Sequence, residues 1–270
     1  MATVLFGEFG GKNHERSVFN YLEKALIIQA VSDATESLSK ALIASNKNFS
    51  GHVDQIKLWF GDMTAEHIVA LKKNVNKMHS TLIAPETFIK FIDARGQYYH
   101  PYMGRMPLNN IADAQYDELM MKGGEREKVN KECDAWVYPL SWPDFNEKCS
   151  SHVGSVMNIY IGENFFCSTN NNNKREQAIL HEYSHKALFT VDYAVETPEP
   201  DSEDGAWFVY GRKNCQYLAT QNVEDTMRNA DCWGRFLISF NGVAILPDSF
   251  DKYKNIKKKG ASDKRRCSLM

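Results

Sequence analysis

An α+β fold is predicted for this 270-residue sequence, and three observations carry the prediction. Apolar residues recur at helical spacing near the start. Short runs with strand-like patterning occupy the middle. Helical spacing then returns after about residue 174. Helices, then strands, then helices again argue for α+β and against a βαβ parallel sheet. The composition is that of a globular chain, with 43% hydrophobic and 24% charged residues. That excludes collagen-like, coiled-coil and wholly disordered classes. The formal net charge of −2 predicts no general affinity for nucleic acid. The length is enough to bury a core without disulfide staples. We read one domain over residues 1–250, acting as a monomer, and a basic tail over residues 251–270.

The elements follow in order. Val18, Leu22, Ala25, Leu26, Ala34, Leu38 and Leu42 share a helical period, so residues 15–46 read as one helix, or two with a break near Ser32 and Asp33. The polar stretch Asn46 to Gly51 ends it. Thr64, with Glu66 and His67 in the first turn, caps a second helix running to about Met78. Thr87 to Asp93 alternates as a strand, and Tyr98 and Tyr99 continue it as a hairpin after Arg95 and Gly96. Residues 103–132 read as a long loop with a helix near 114–121. Strands are expected at Ala135–Pro139 and Val156–Ile161. The four asparagines at 170–173 mark a turn, and a helix follows through His181. Residues 192–206, acidic and containing Pro198 and Pro200, read as an exposed loop. Two helices are expected near 207–221 and 222–238.

No apolar run approaches the ~18 residues of a membrane span; Ala25 to Val31 is short and interrupted by Gln29. The N-terminus lacks a basic region followed by an apolar one and does not read as a secretory signal. The expected location is the cytoplasm, or outside the cell by a leaderless route, including injection into a host. Six cysteines with no CxxC pair are read as reduced thiols. In an exported protein the pairing to test is Cys133 with Cys149 or Cys167.

The motif that carries chemistry is His181-Glu182-Tyr183-Ser184-His185. On a helix, residues i and i+4 lie one turn apart on one face, so both imidazoles can reach one Zn²⁺. Glu182 lies just to the side, placed to take the proton of the attacking water and pass it to a leaving amine. A catalytic zinc takes three protein ligands. The candidates after His185 are Asp192, Glu196, Glu199, Asp201, Glu203 and Asp204. Asp192 is preferred because apolar neighbours anchor the stretch from Phe189 to Tyr193, whereas the later acids sit in the Pro-containing loop.

Beyond this motif, HEYSHKALFTVDYA, a following Tyr210-Gly211 and then Asn229-Ala230-Asp231 resemble the aspzincin metallopeptidases, the deuterolysin and peptidyl-Lys metalloendopeptidase group. Leu58-Trp59-Phe60-Gly61, Ala135-Trp136-Val137-Tyr138-Pro139 and Ile159 to Phe166 extend the likeness over most of residues 15–240. The resemblance implies a zincin-like α+β fold, with N-terminal helices on a small twisted sheet, an HExxH helix beneath it and C-terminal helices forming the lower lip of the cleft. It implies zinc held by His181, His185 and Asp192, with Glu182 as general base. Tyr210 would donate a hydrogen bond to the oxyanion, and Asp231 would pair with a substrate lysine on the primed side. The chain departs from the family pattern in one place. Tyr210 stands 18 residues after Asp192, with an acidic insertion between them. Asp204 therefore stays open as a competing ligand, Tyr210 as a buried aromatic supporting the helix that follows, and Asp231 as a group that caps or hydrogen-bonds near the site.

The last residues, Cys267-Ser268-Leu269-Met270, fit a prenylation signal, with Cys267 as the lipidated residue. Lysines and arginines upstream would add a polybasic patch able to meet a membrane surface. The expected function is zinc-dependent hydrolysis of a protein or peptide substrate, with preference for lysine. The alternative is a catalytically inactive binding module recruited to a membrane by the tail. The intact HExxH favours the enzyme.

Overall fold

The computed structural model describes residues 3–8, 19–84, 87–93, 134–137, 156–167, 170–192 and 209–243. Strand β1 is Thr3–Glu8. Helices α1 (Tyr21–Asn46), α2 (Val53–Phe60) and α3 (Ala65–Ile83) follow, then strands β2 (Phe88–Asp93), β3 (Ala135–Trp136) and β4 (Val156–Ile161). The chain closes with α4 (Asn172–Leu188), α5 (Gly211–Ala219), α6 (Val223–Arg228) and α7 (Ala230–Ile238). Among these residues no helix is long and apolar enough to cross a membrane. Cys215 and Cys232 are free thiols. Cys133, Cys149, Cys267, the predicted helix near 114–121 and the basic tail lie outside the described residues.

The α+β class agrees with the structure, but the expected absence of a parallel sheet does not. The sheet order is β1-β2-β4-β3. The β1–β2 and β2–β4 pairs are parallel, and β3 runs antiparallel to β4. The strand pattern missed β1 because it is short and its apolar residues do not alternate cleanly: Leu5 is exposed between half-buried Val4 and Phe6. Parallel pairing follows because the chain crosses over through α1 to α3 before returning as β2. Both edges of β2 are occupied, and the expected hairpin through Tyr98 and Tyr99 lies outside the described residues.

Helix α1 is continuous, with no break at Ser32 and Asp33. Asn20 and Glu23 form its capping box, which satisfies two otherwise orphaned backbone donors. Thr64 caps α3 as expected, accepting from His67 N. Helix α2 was not expected. It is one short amphipathic piece that buries Ile56, Trp59 and Phe60. The Phe60 ring lies 5.1 Å from Trp233 and 5.0 Å from Phe236, which ties this segment to α7. The last predicted helix is two helices, because Asn229 adopts an extended backbone and caps α7 by accepting from Cys232 N.

Gly61 ends α2 with φ of +83°. A β-carbon there would stand 2.3 Å from the carbonyl oxygen of Ala219 in α5. Both the backbone angle and the close approach demand glycine. Gly61→Ala should therefore cost about 2–4 kcal/mol, from backbone strain plus overpacking, and lower the melting temperature accordingly.

The core is one cluster shared by sheet and helices, including Phe91, Ile159, Leu38, Leu71, Leu180 and Phe236. Helix α4 packs against α1, α3 and α7 and touches β3. Inside that packing sits Glu176. It accepts from Ser37 Oγ of α1 and, at 2.9 Å, from Asn241 Nδ2 after α7. Burial pushes its carboxyl up to about 7, helped by the nearby Asp33 and Glu36. Between the ordinary value of 4.5 and about 7, the unfolded chain ionises this group while the folded chain keeps its proton. Its contribution to stability is therefore full below 4.5 and is lost as pH rises through 7. Glu176→Gln should remove that loss. Its stability at pH 8 should exceed that of the wild type by about 2 kcal/mol, with little difference at pH 4.5, as read by denaturant unfolding.

Candidate metal centre

Helix α4 begins where Asn171 accepts from Lys174 N at 2.9 Å, and it carries His181, Glu182 and His185 on its buried length. The i, i+4 spacing places the two imidazoles side by side, with Nε2 to Nε2 at 3.1 Å. The helix then stops abruptly. Phe189 takes the left-handed conformation, φ 60° and ψ 35°, beneath Lys77 Nζ, which lies 4.8 Å from the ring centre. Outside glycine this conformation carries strain, and here it reverses the chain.

The reversal has two consequences. The carbonyl of Thr190 comes to 2.8 Å from His185 Nδ1, and the Thr190 and Ser184 hydroxyls meet at 2.7 Å. Val191 then forms a parallel bridge with Asn229. Val191 N donates to Arg228 O at 2.8 Å, and Ala230 N donates to Val191 O at 3.1 Å. These bonds hold the next residue, Asp192, over the histidines. Its Oδ1 lies 3.2 Å from His181 Nε2 and 3.5 Å from His185 Nε2.

The donor set fits zinc. Tetrahedral zinc with bonds of about 2.0–2.1 Å separates its ligand atoms by roughly 3.3 Å. The three atoms here stand 3.1, 3.2 and 3.5 Å apart. Asp192 Oδ1 is buried and makes no hydrogen bond, although two imidazole nitrogens face it. His185 donates from Nδ1 to the Thr190 carbonyl, which leaves the Nε2 lone pair free toward the centre. Burial opposes charge on His181, yet Asp192 and Asp231 outweigh it and hold the imidazole well above its ordinary value. Metal binding there would displace a proton.

Glu182 also lies within 4.8 Å of both histidine ligand atoms. Its carboxylate is 3.8 Å from His181 Nε2, farther than Asp192, so it stands beside the ligand triangle. Burial raises its carboxyl above the ordinary value, against the lowering pull of the two histidines. Tyr210 caps α5 and is 42% exposed, so it is not a buried support. Its ring centre lies 5.9 Å from that of His181. The long gap in sequence between Asp192 and Tyr210 is thus closed in space. Asp204 and the other acids of the insertion lie outside the described residues.

Asp231 is enclosed and already paired. It is 3% exposed at the start of α7. Its Oδ2 accepts from Arg235 Nε at 2.7 Å and Gly211 N at 2.8 Å, and its Oδ1 accepts from Gln177 Nε2. Burial alone would raise this carboxyl; Arg235 and His181 outweigh it and hold it well below the usual range. A substrate ammonium would bring a second cation to a carboxylate already neutralised and enclosed. The sequence reading did not pick out Thr190, Gln177 or Arg235. Two of them were legible as helix neighbours: Gln177 lies one turn before His181, and Arg235 one turn after Asp231.

The chain is similar in fold to a zinc peptidase from Grifola frondosa. The likeness covers 83% of this chain and 99% of that one, with a TM-score of 0.50 and 16% identity. At that identity the shared property is the fold. No protein-family model matches the sequence, and no curated protein does.

Proposed function

We propose that this chain is a zinc-dependent endopeptidase of aspzincin type, acting on protein or peptide substrates. The observation that carries the proposal is the convergence of His181, His185 and Asp192 on one point, with Glu182 beside it. The fold shared with a zinc peptidase supports it.

In this reading the three side chains hold zinc, which would supply Lewis acidity toward the attacking water and the scissile carbonyl. Glu182 takes the water's proton. Its buried setting raises its basicity toward neutral pH, where general-base catalysis is efficient. The same carboxyl then delivers the proton to the leaving amine. Tyr210 stands beside His181 with an exposed phenol, suited to donate to the oxyanion of the tetrahedral intermediate. An extended substrate would lie beside β3, the edge strand that touches α4.

The test is elemental analysis of the wild type and His181→Ala, with cleavage of a peptide mixture followed by mass spectrometry. About one zinc per chain, lost in the variant, together with peptide cleavage is the expected result. Zinc without cleavage of any peptide would point to the binding module instead. Cleavage should show no enrichment of lysine on the primed side, because Arg235 already occupies Asp231.

A further inference from the structure

Two helices meet at Asp231. Gln177 and His181 lie one turn apart on α4, and Asp231 and Arg235 one turn apart on α7. Gly234 permits the approach: a β-carbon there would stand 3.0 Å from Gln177 O and 3.5 Å from the His181 β-carbon. In that contact Asp231 Oδ1 lies 3.7 Å from His181 Nδ1. Its remaining capacity is taken up by Gln177, Gly211, Arg235 and the Cys215 thiol at 3.2 Å.

We propose that Asp231 is a positioning residue of the metal centre: it keeps the proton of His181 on Nδ1 and turns Nε2 toward the metal, while Arg235 balances its charge. This inference rests on the zinc-site reading. A ligating imidazole binds through one nitrogen and carries its proton on the other, so each ligand histidine needs an acceptor behind it. For His185 the acceptor is the Thr190 carbonyl. For His181, among the described residues, the group facing Nδ1 is Asp231. At 3.7 Å the contact is electrostatic rather than a short hydrogen bond. Its strength grows when a cation on Nε2 adds positive charge to the ring. Gln177 and Gly211 N fix the carboxylate from two sides, so its direction is set by the protein rather than by the metal.

The test separates the acceptor role from the ion pair. Four forms are compared: wild type, Arg235→Met, Asp231→Asn with Arg235→Met, and Asp231→Leu with Arg235→Met. Zinc affinity is measured by competition with a chromophoric chelator. Melting temperature is measured without metal, and the visible spectrum with Co²⁺. Arg235→Met removes the ion pair and keeps the acceptor, so it is the reference against which the zinc affinities of the double variants are ranked. The Asn form keeps a neutral acceptor oxygen and should bind several-fold more weakly than Arg235→Met. The Leu form keeps no acceptor and should bind about 10–100-fold more weakly, with an altered Co²⁺ spectrum. Both double variants lack the ion pair, so a role confined to structure would lower their melting temperatures without ranking their zinc affinities. Equal affinity in Arg235→Met and in every double variant that folds would overturn the proposal. The Asn form supplies that comparison if the Leu form does not fold. A wild type that binds no zinc would overturn the metal reading itself, and this inference with it. Zinc bound equally by all forms would overturn this inference alone.

Discussion

Glu182→Gln should keep zinc and lose hydrolysis. The amide is nearly isosteric, and the ligand triangle of His181, His185 and Asp192 does not include this side chain. Under the proposed mechanism the variant loses the group that accepts a proton in the transition state, worth about 10²–10⁴-fold in rate. The expected result is unchanged zinc content and a fall of that size in kcat/KM, with KM little altered, since the missing interaction is made only in the transition state. Retention of more than a tenth of the wild-type rate with zinc in place would remove Glu182 from the mechanism. A variant that loses zinc instead would make Glu182 a ligand, and the 3.8 Å separation from His181 would then not describe the loaded site.

Asp192→Ala should lose the metal. Its oxygen faces the Nε2 atoms of both imidazoles, and it is held there by the bridge between Val191 and Asn229. Removing it leaves two ligands where zinc takes three. The drop in affinity should exceed the about 100-fold that loss of an outer-shell partner costs. Chelator competition reads this directly. Asp204→Ala, measured alongside, should bind as the wild type does. If instead Asp204→Ala loses zinc and Asp192→Ala keeps it, the third ligand lies in the insertion. The two variants thereby resolve the choice that the spacing of the sequence left open.

The histidine pair was legible because helical geometry is local: residues 181 and 185 share a face whatever surrounds them. The cap at Thr64 was legible for the same reason, as a side chain and a backbone N–H three residues on. The parallel sheet was not. Strand direction depends on where α1 to α3 carry the chain, and that depends on packing across the whole core. Helix α2 was missed because eight residues hold too few turns for a clear period; its identity comes from burying Trp59 and from packing Phe60 against Trp233 and Phe236. The surroundings of Asp231 were not legible for a related reason. Its position in the sequence says which stretch it occupies, but its charge is paired with Arg235 only once α7 folds and packs against α4.

Residues 181–185 specify the chemistry that one helix can carry: two imidazoles and a carboxylate within a turn and a half. Helical spacing is set by backbone hydrogen bonds between near neighbours, so it survives any tertiary arrangement. Tertiary packing, in contrast, is what sets Asp192 over the two imidazoles, returns Tyr210 to His181 across 18 residues and turns Asp231 inward. Those positions depend on a left-handed turn at Phe189, a bridge between Val191 and Asn229, and a helix contact that Gly234 allows. Each joins segments distant in sequence. Such contacts form only when burial of the shared core repays the entropy of ordering the chain between them.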